Sequence, residues 1–375
     1  MNNQTHIIQY PTGQPTVIAV PLANQRVAIH RGTRQSDPSV ILDDKGSWKV
    51  SAFALMTGEH TSADIIRLLA MQNIIVDITD LLDYIKTLAD LNAVGDVSFF
   101  SMDGLRSDQT DRYSRNLNGF SALSGGGIRP AELQKRLLNG HVLMLGAGGL
   151  GSCTSTALAM AGCGTISILD FDHIELGNLN RQLFTVHDIG KRKVDGMKER
   201  IEMINPDVKV NTYFQRLMSV DDVALVLDQI KPDIVVAAID RPTIAADRWI
   251  SDACFAAGIP AVFNSVSAGK GLLWTKVPGK TGCFQCDEMW SIELTTDHHN
   301  IRRYREDADL IPATSAFSYS AMTVGGMMAS DIVRHLVGWP MATAGKLVVI
   351  DFATLSTNVI EKPKHDNCPI CGHIE

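Results

Sequence analysis

The chain has 375 residues and a formal net charge of −7, from 34 Lys+Arg against 41 Asp+Glu. At roughly 150 residues per domain there is room for two, and the acidic balance excludes a protein whose whole surface grips nucleic acid by neutralising phosphates. Hydrophobic residues make up 45% and charged residues 20%, the proportions of a chain that buries a core. No apolar run reaches the ~18 residues of a membrane span. The opening MNNQTHIIQY carries neither the basic nor the apolar region of a secretory signal. A soluble, cytoplasmic protein with no membrane and no nucleic-acid partner is expected.

Residues 1–105 read as a small domain of their own. Short strands are expected at 26–30 and 40–42. Thr61, with Asp64 three residues on, has the form of a helix start, and Ile65, Leu68 and Leu69 continue at helical spacing. A second helix places Ile78, Leu81, Leu82, Ile85, Leu88 and Leu91 on one face, with Gly95 as its stop. Two amphipathic helices with short strands make a winged-helix-like unit, whose plainest role is dimerisation or packing. Residues 106–128 are expected as a linker, punctuated by Ser107, Ser124 and Gly127. The run DRYSRN at 111–116 lies inside it, and a solvated stretch is its default reading.

From His141 onward, short apolar runs alternate with helical stretches. Strands are expected at 142–145, 165–169, 208–212, 234–238, 261–263 and 347–350. Helices are expected at 151–161, 191–205 and 221–229, and a long buried one at 314–337. The alternation predicts an α/β fold over 129–375, a Rossmann-like, mostly parallel sheet with helices on both faces.

Gly146, Gly148, Gly149 and Gly151 follow the first of these strands and open a helix. Glycines there allow a tight turn and bring backbone N–H groups up to a phosphate at the helix N-terminus. Asp170 ends the next strand, where an acidic side chain binds a ribose hydroxyl. Up to this point a nicotinamide dehydrogenase fits as well as an ATP enzyme. Asn178, Arg181 and Gln182 come next, and Lys193 begins the following helix. An arginine and a lysine converging on the site suit a triphosphate, whose departing charge needs neutralising; the bland reading is two surface salt bridges. Asp240 closes the strand at 234–238, placed either to hold Mg2+ or to cap a helix.

Seven cysteines in a long chain without a signal peptide make a poor disulfide framework. Four of them form two C-x-x-C pairs, Cys283 with Cys286 and Cys368 with Cys371. Each pair offers two thiolates to one metal, and four thiolates close a tetrahedral structural Zn2+ site with no open position. Such a metal would staple the C-terminal tail onto the domain.

Together these features resemble the ThiF/MoeB/E1 superfamily of ATP-dependent carboxylate-activating enzymes. The likeness runs over 111–375 through RYSRN, GAGGLGS, LDFD, NLNRQ, GKRK, AAIDRP and the two cysteine pairs. It implies ATP, Mg2+ and structural Zn2+ as cofactors. It assigns the ribose to Asp170, the phosphates to Asn178, Arg181 and Lys193 beside Gly146, Gly148, Gly149 and Gly151, and the Mg2+ or acyl-adenylate to Asp240. It also implies a homodimer in which Arg115 reaches the partner's site. RYSRN and VPGKTGC resemble the branch that modifies ribosomal peptides, of the microcin C and pantocin A type. FALMTGEHTSADIIRLL and ITDLLDYIKTLADLNAVGD look like a PqqD-type peptide-recognition element, which implies a precursor peptide whose leader adds as a strand beside a helix.

No cysteine lies between Cys286 and Cys368, where ubiquitin activators of the superfamily carry their thioester nucleophile. Cys153, Cys163 and Cys254 are flanked by apolar residues and read as buried small hydrophobes. The activated carboxylate is therefore expected to be captured within the substrate. Residues 291–311 are polar, with His298, His299, Arg302, Arg303 and Arg305, and read as a lid receiving acidic groups or as a solvated loop. The expected function is adenylylation of Glu side chains in a precursor peptide followed by cyclisation, of the pantocin type. The alternatives are adenylylation of a peptide C-terminus, of the microcin C type, activation of a ubiquitin-like sulfur carrier, and nicotinamide oxidoreduction.

Overall fold

The computed structural model describes residues 8–32, 37–124, 127–242, 244–294, 297, 300, 304 and 315–371. The chain folds as two compact units, Met1–Lys135 and Arg136–Glu375.

The first unit opens with β1 (Pro11–Gly13), β2 (Val17–Leu22), β3 (Arg26–Arg31) and β4 (Ser39–Asp43). Then come α1 (Lys49–Ala54), α2 (Ser62–Met71), α3 (Ile78–Asp90) and β5 (Val94–Asp96). Strands β2, β3 and β4 form an antiparallel sheet in that order, while β1 pairs with β5. Alternation along β3 buries Val27 and Ile29 against Trp48, Ile65, Leu69, Leu81, Ile85 and Leu88. The expected start of α2 is a complete capping box: the Asp64 N–H donates to Thr61 Oγ1 (3.2 Å) and the Thr61 N–H donates to Asp64 Oδ2 (3.1 Å).

Three details differ from the expectation. Helix α3 ends at Asp90 and Gly95 is a strand residue; Asn92, at φ 51°, turns the chain first. Ile78 and Leu82 lie on the exposed side of α3. The stretch expected as a linker is mostly helical, as α4 (Ser107–Arg112) and α5 (Ser114–Leu123). Tyr113, between them, is 1% exposed, and Leu117 and Phe120 are buried. Two buried apolar residues on α5 and none on α4 leave too little periodicity to be seen in the sequence.

α6 (Pro130–Asn139) carries the chain into the second unit. There follow β6 (His141–Leu145), α7 (Gly149–Ala161), β7 (Thr165–Leu169), α8 (Lys193–Ile204), β8 (Lys209–Tyr213), α9 (Val220–Ile230) and β9 (Ile234–Ala237). The rest is α10 (Ala245–Ala257), β10 (Ala261–Val266), β11 (Lys270–Lys276), α11 (Phe284–Leu294), α12 (Ser318–Leu336), β12 (Lys346–Asp351) and β13 (Ser356–Glu361). One eight-stranded sheet has the order β13-β12-β11-β10-β9-β6-β7-β8. From β10 to β8 neighbours are parallel, and from β10 outward to β13 they are antiparallel. The sheet is thus mostly parallel, as expected, with an antiparallel flank that the sequence pattern does not reveal.

Leu143, Leu145, Val235, Ala237 and Phe263 pack with Val223, Val226 and Ile250 of α9 and α10. The alternate residues Val142, Met144, Ile166, Ile168, Val236 and Val262 are equally inaccessible, because α7 and α12 cover the other face. Both faces buried is why these strands read as unbroken apolar runs. No helix among the described residues is long and apolar enough to cross a membrane.

Candidate active site

The strand order reverses between β6 and β9: the chain winds from β6 through β7 to β8, then returns to β9 on the other side of β6. The crevice outside the C-terminal ends of β6 and β9 is therefore the expected ligand position of such a sheet. The glycine-rich turn leaves β6 there, and Asp240 stands just beyond β9.

Each glycine of the turn answers a different demand. Gly146 sits at φ 102°, and a Cβ on it would lie 2.4 Å from the Ala238 carbonyl oxygen. A Cβ on Gly151 would lie 2.0 Å from the Gly146 carbonyl oxygen. These two let backbone pack on backbone. Around Gly148 the space is open, with the Gln182 amide at 4.0 Å, and Gly149 faces the Arg181 backbone and Ala321 at 3.4 and 3.5 Å. Gly148 caps α7 and Gly149 begins it, and the unpaired N–H groups and dipole of the helix favour an anion.

Asp170 and Arg181 lie against this turn and Lys193 stands near Asp170. Asp170 is 6% exposed; its carboxylate accepts the Ala147 N–H (2.7 Å) and the Asp172 N–H (2.8 Å). Burial pushes its pKa up, against the opposing pull of Lys193 and of those two N–H donors. Lys193, 7% exposed, donates from Nζ to Asp172 Oδ2 at 2.7 Å. Asn178 accepts the Glu175 N–H at 3.0 Å. Arg181 donates to the Gly177 carbonyl (3.1 Å) and to Asn180 Oδ1 (2.9 Å), and the segment is tied to α7 by the Leu183 N–H on Ser152 Oγ (3.2 Å). Asp240 is exposed, at the mouth of the crevice. Arg115 belongs to the first unit, exposed on α5.

Cys283, Cys286, Cys368 and Cys371 are fully buried, and their sulfurs all lie within 4.8 Å of one another. Cys283 and Cys368 are 3.5 Å apart and Cys286 and Cys371 3.2 Å. Four thiolates at a zinc–sulfur distance of about 2.3 Å would stand about 3.8 Å apart, so the donor set fits one tetrahedral metal. Lys276, 4% exposed, donates to the Gly282 carbonyl (3.3 Å), the Cys283 carbonyl (3.0 Å) and Asp287 Oδ2 (2.8 Å). It braces the first C-x-x-C turn. The His365 N–H donates to Cys286 Sγ (3.3 Å), bracing the second arm.

A model of the ThiF family matches residues 113–370, which include the crevice and all but the last of the four metal-type cysteines. The chain belongs to the ThiF family. It is accordingly an ATP-dependent adenylating enzyme. The Escherichia coli (strain K12) sulfur carrier protein ThiS adenylyltransferase is 30% identical over 241 residues, 64% of this chain and 88% of that protein. The molybdopterin-synthase adenylyltransferase of the same organism is 27% identical over 244 residues, 64% and 90% of the two chains. Among solved structures, E. coli MccB with ATP has a TM-score of 0.76 at 21% identity, covering 96% of this chain and 99% of its own. PaaA has a TM-score of 0.71 at 21% identity, covering 92% and 98%. These two likenesses show a shared fold.

Within this ThiF fold the crevice fits a nucleotide on one observation in particular. Gln182 is 6% exposed, yet its Oε1 has no hydrogen-bond partner, and its amide faces the open space at Gly148. The atom beside Gly148 is Nε2, a donor suited to a phosphate oxygen, while Oε1 is an acceptor that only a ligand's donor, such as a hydroxyl or amino group, can satisfy. The sequence singles out Gln182 without giving it a role, and it does not single out Asp172, the carboxylate that holds Lys193. The LDFD run contains Asp172, but only the fold shows that Asp170 turns inward and Asp172 outward. The remaining cysteines are no nucleophiles: burial raises the thiol of Cys153 to about 11 and those of Cys163 and Cys254 to about 12. Of the expected 291–311 loop, Ser291 and Ile292 belong to α11; His298, His299, Arg302, Arg303 and Arg305 lie outside the described residues.

Proposed function

We propose that this ThiF-family enzyme adenylylates a carboxylate of a ribosomally made precursor peptide, whose leader the first unit holds, in the biosynthesis of a peptide natural product. The observation that carries this reading is the free edge of β4. Its one neighbour among the described residues is β3, and Val40 and Ile41 on it are 38% and 54% exposed. Beside it a cavity of about 390 Å³ runs between Ile29, Arg31 and Val40 on the sheet and Asp90 and Leu91 at the end of α3. An apolar edge without a partner invites aggregation; an extended peptide adding as a strand, with side chains in the groove, resolves it. The E. coli ThiS and molybdopterin-synthase adenylyltransferases, by contrast, align with 64% of this chain, whereas the MccB and PaaA folds extend over 92% or more.

In this reading the glycine turn and the α7 N-terminus take the phosphates, with Asn178, Arg181 and Lys193 around them, and Asp170 takes the ribose. Asp240 would hold Mg2+, which supplies charge neutralisation on the phosphates. A peptide carboxylate oxygen bonds to the α-phosphorus, the bond to the bridging oxygen breaks, and pyrophosphate leaves against Arg181 and Lys193. A nucleophile of the same peptide then takes the acyl carbon and AMP departs, so the peptide loses water overall. Glu side chains are the proposed carboxylates, as in pantocin-type cyclisation. Zn2+ in the four-cysteine site would be structural, joining α11 to the tail after β13. Arg115 acts in the partner's site of a homodimer. The nicotinamide reading falls with the family.

Incubating the enzyme with Mg·ATP and acidic precursor peptides, followed by intact mass spectrometry, tests the proposal. Loss of water with release of AMP and pyrophosphate supports it. Gain of a nucleotidyl group assigns the microcin C type instead, and adenylation of a Gly-Gly-ended carrier alone refutes the peptide reading. Mixing Arg115→Ala with Lys193→Ala subunits is expected to restore part of the activity; mixed dimers without rescue refute the trans role.

A further inference from the structure

One wall of the cavity beside β4 is the turn that follows α3, and that turn is tied to the helix carrying Arg115. Asn92 lines the cavity next to Asp90 and Leu91, with its backbone in the left-handed region at φ 51°. Asn92 Nδ2 donates to the Ala122 carbonyl (3.4 Å), and Gln14 Nε2 donates to Asn92 Oδ1 (3.3 Å). Gln14 is buried, and its Oε1 accepts the hydroxyl of Ser121, which is buried too. The Gln14 N–H donates to the Ala93 carbonyl at 2.9 Å. Ser121 and Ala122 belong to the last turn of α5, and Arg115 to its first. All of these residues lie in the first unit.

The apolar residues Leu117 and Phe120 bury α5, but apolar burial is non-directional. The bonds at Ser121 and Ala122 add direction, because a hydrogen bond weakens steeply off its axis. The Gln14 amide has one end on the cavity wall and the other on α5. Displacing Asn92 therefore either carries the end of α5 with it or leaves a buried polar atom unpaired, which costs more than one bond is worth. A strand seated beside β4, with side chains in the cavity, holds Asp90–Asn92 in one arrangement and so holds the end of α5.

We infer that Asn92 is a positioning residue: through Gln14 and Ser121 it converts occupancy of the groove into the placement of α5, and hence of Arg115, for adenylylation. The inference rests on the leader reading of the groove and on the trans role of Arg115. Its consequence is specificity. A core peptide reacts slowly by itself and faster once a leader fills the groove, even when leader and core are separate molecules.

The test uses the full chain and the precursor peptide that it modifies in the mass-spectrometric assay, cut into a leader piece and a core piece. Leader affinity is read by fluorescence anisotropy, and kcat and KM on the core piece by AMP release. In the wild type, saturating leader piece is expected to raise kcat by about 5-fold or more, the lower limit of a typical coupling between sites, with KM for the core unchanged. Asn92→Gly keeps the left-handed backbone unstrained and is expected to lose that rise at saturating leader. Ser121→Ala, outside groove and crevice, is expected to bind the leader piece normally and turn over the core alone at the wild-type rate, with a reduced rise. Val40→Lys, which puts a charge in the groove, is expected to lose leader binding and the rise together. A full rise in Asn92→Gly or in Ser121→Ala overturns the relay alone, as does a wild type that binds the leader piece without any rise. Equal losses of turnover with and without leader in Ser121→Ala also overturn it, since they assign the network to stability. No leader binding by the wild type, unchanged binding in Val40→Lys, or adenylation of a carrier protein alone overturns the leader reading and the relay with it.

Discussion

The nucleotide crevice and the cysteine cluster lie in one unit and are built on opposite terms. At the crevice, Gln182 Oε1 is buried without a partner, Lys193 is held by a carboxylate that is 48% exposed, and the space at Gly148 is open. At the cluster nothing waits for a visitor from solvent. The four thiols are fully buried, Lys276 has three acceptors, and His365 places its N–H on Cys286 and its ring nitrogen on Glu293 (2.9 Å). Unfinished hydrogen bonding beside open space marks a site completed by a ligand that comes and goes. A closed set of four donors marks a site completed once, on folding.

The largest effect is expected from Lys193→Ala, which tests whether the crevice is separable from the fold. Adenylylation, read as ATP–pyrophosphate exchange, is expected to fall by about 10²–10³-fold, as when a preorganised charge-stabilising group is lost, while the melting temperature is preserved. A fall in melting temperature of many degrees would show that Lys193 also carries the fold. The complementary variant is Lys276→Met. It removes a brace from the first C-x-x-C turn, so metal affinity, read by transfer to a chromophoric chelator, is expected to drop about 10–100-fold with ATP binding retained. Rescue by Lys276→Arg would separate the brace from a general packing role, and unchanged metal affinity would remove Lys276 from the site.

A smaller effect belongs to the crevice. Because burial raises Asp170 above its ordinary 3.8, the folded state holds that proton longer than the unfolded chain does. Its ionisation therefore costs stability progressively as pH rises from 3.8 through the raised value, and the cost persists at neutral pH. Relative to Asp170→Asn, the wild-type melting temperature is expected to decline across that window. A constant difference between the two proteins would contradict the shift. Saturating ATP is expected to raise the wild-type melting temperature through mass action, which distinguishes an unfinished site from a finished one.

Much of the catalytic unit is legible in the sequence. The glycine turn is local chemistry: positive φ at Gly146 and backbone contact at Gly151 admit no other residue type, so the spacing alone declares it. The C-x-x-C pairs and the Thr61–Asp64 capping box are equally local. The family likeness then names the fold and gathers Asp170, Asn178, Arg181 and Lys193 around one turn. Helices α4 and α5 escape a reading of the pattern because the burial of Tyr113, Leu117 and Phe120 is set by packing that the local spacing does not record. Strands β11 and β13 escape it for a related reason. β11 is defined by antiparallel pairing to β10 and β12, and the exposed residues of β13 are held as a strand only by β12.

Residue order alone decides which backbone turns are possible, which side chains can ligate a metal and which residue types can neutralise phosphate, since these depend on atoms within a few residues. It took long-range packing to bring Cys286 to Cys371, to set Lys193 against Asp172 while Asp170 turns inward, and to leave Gln182 Oε1 buried without a partner. Those outcomes depend on the order of strands in the sheet and on where each strand ends. Both are set by contacts between segments far apart in the chain, which no local pattern records.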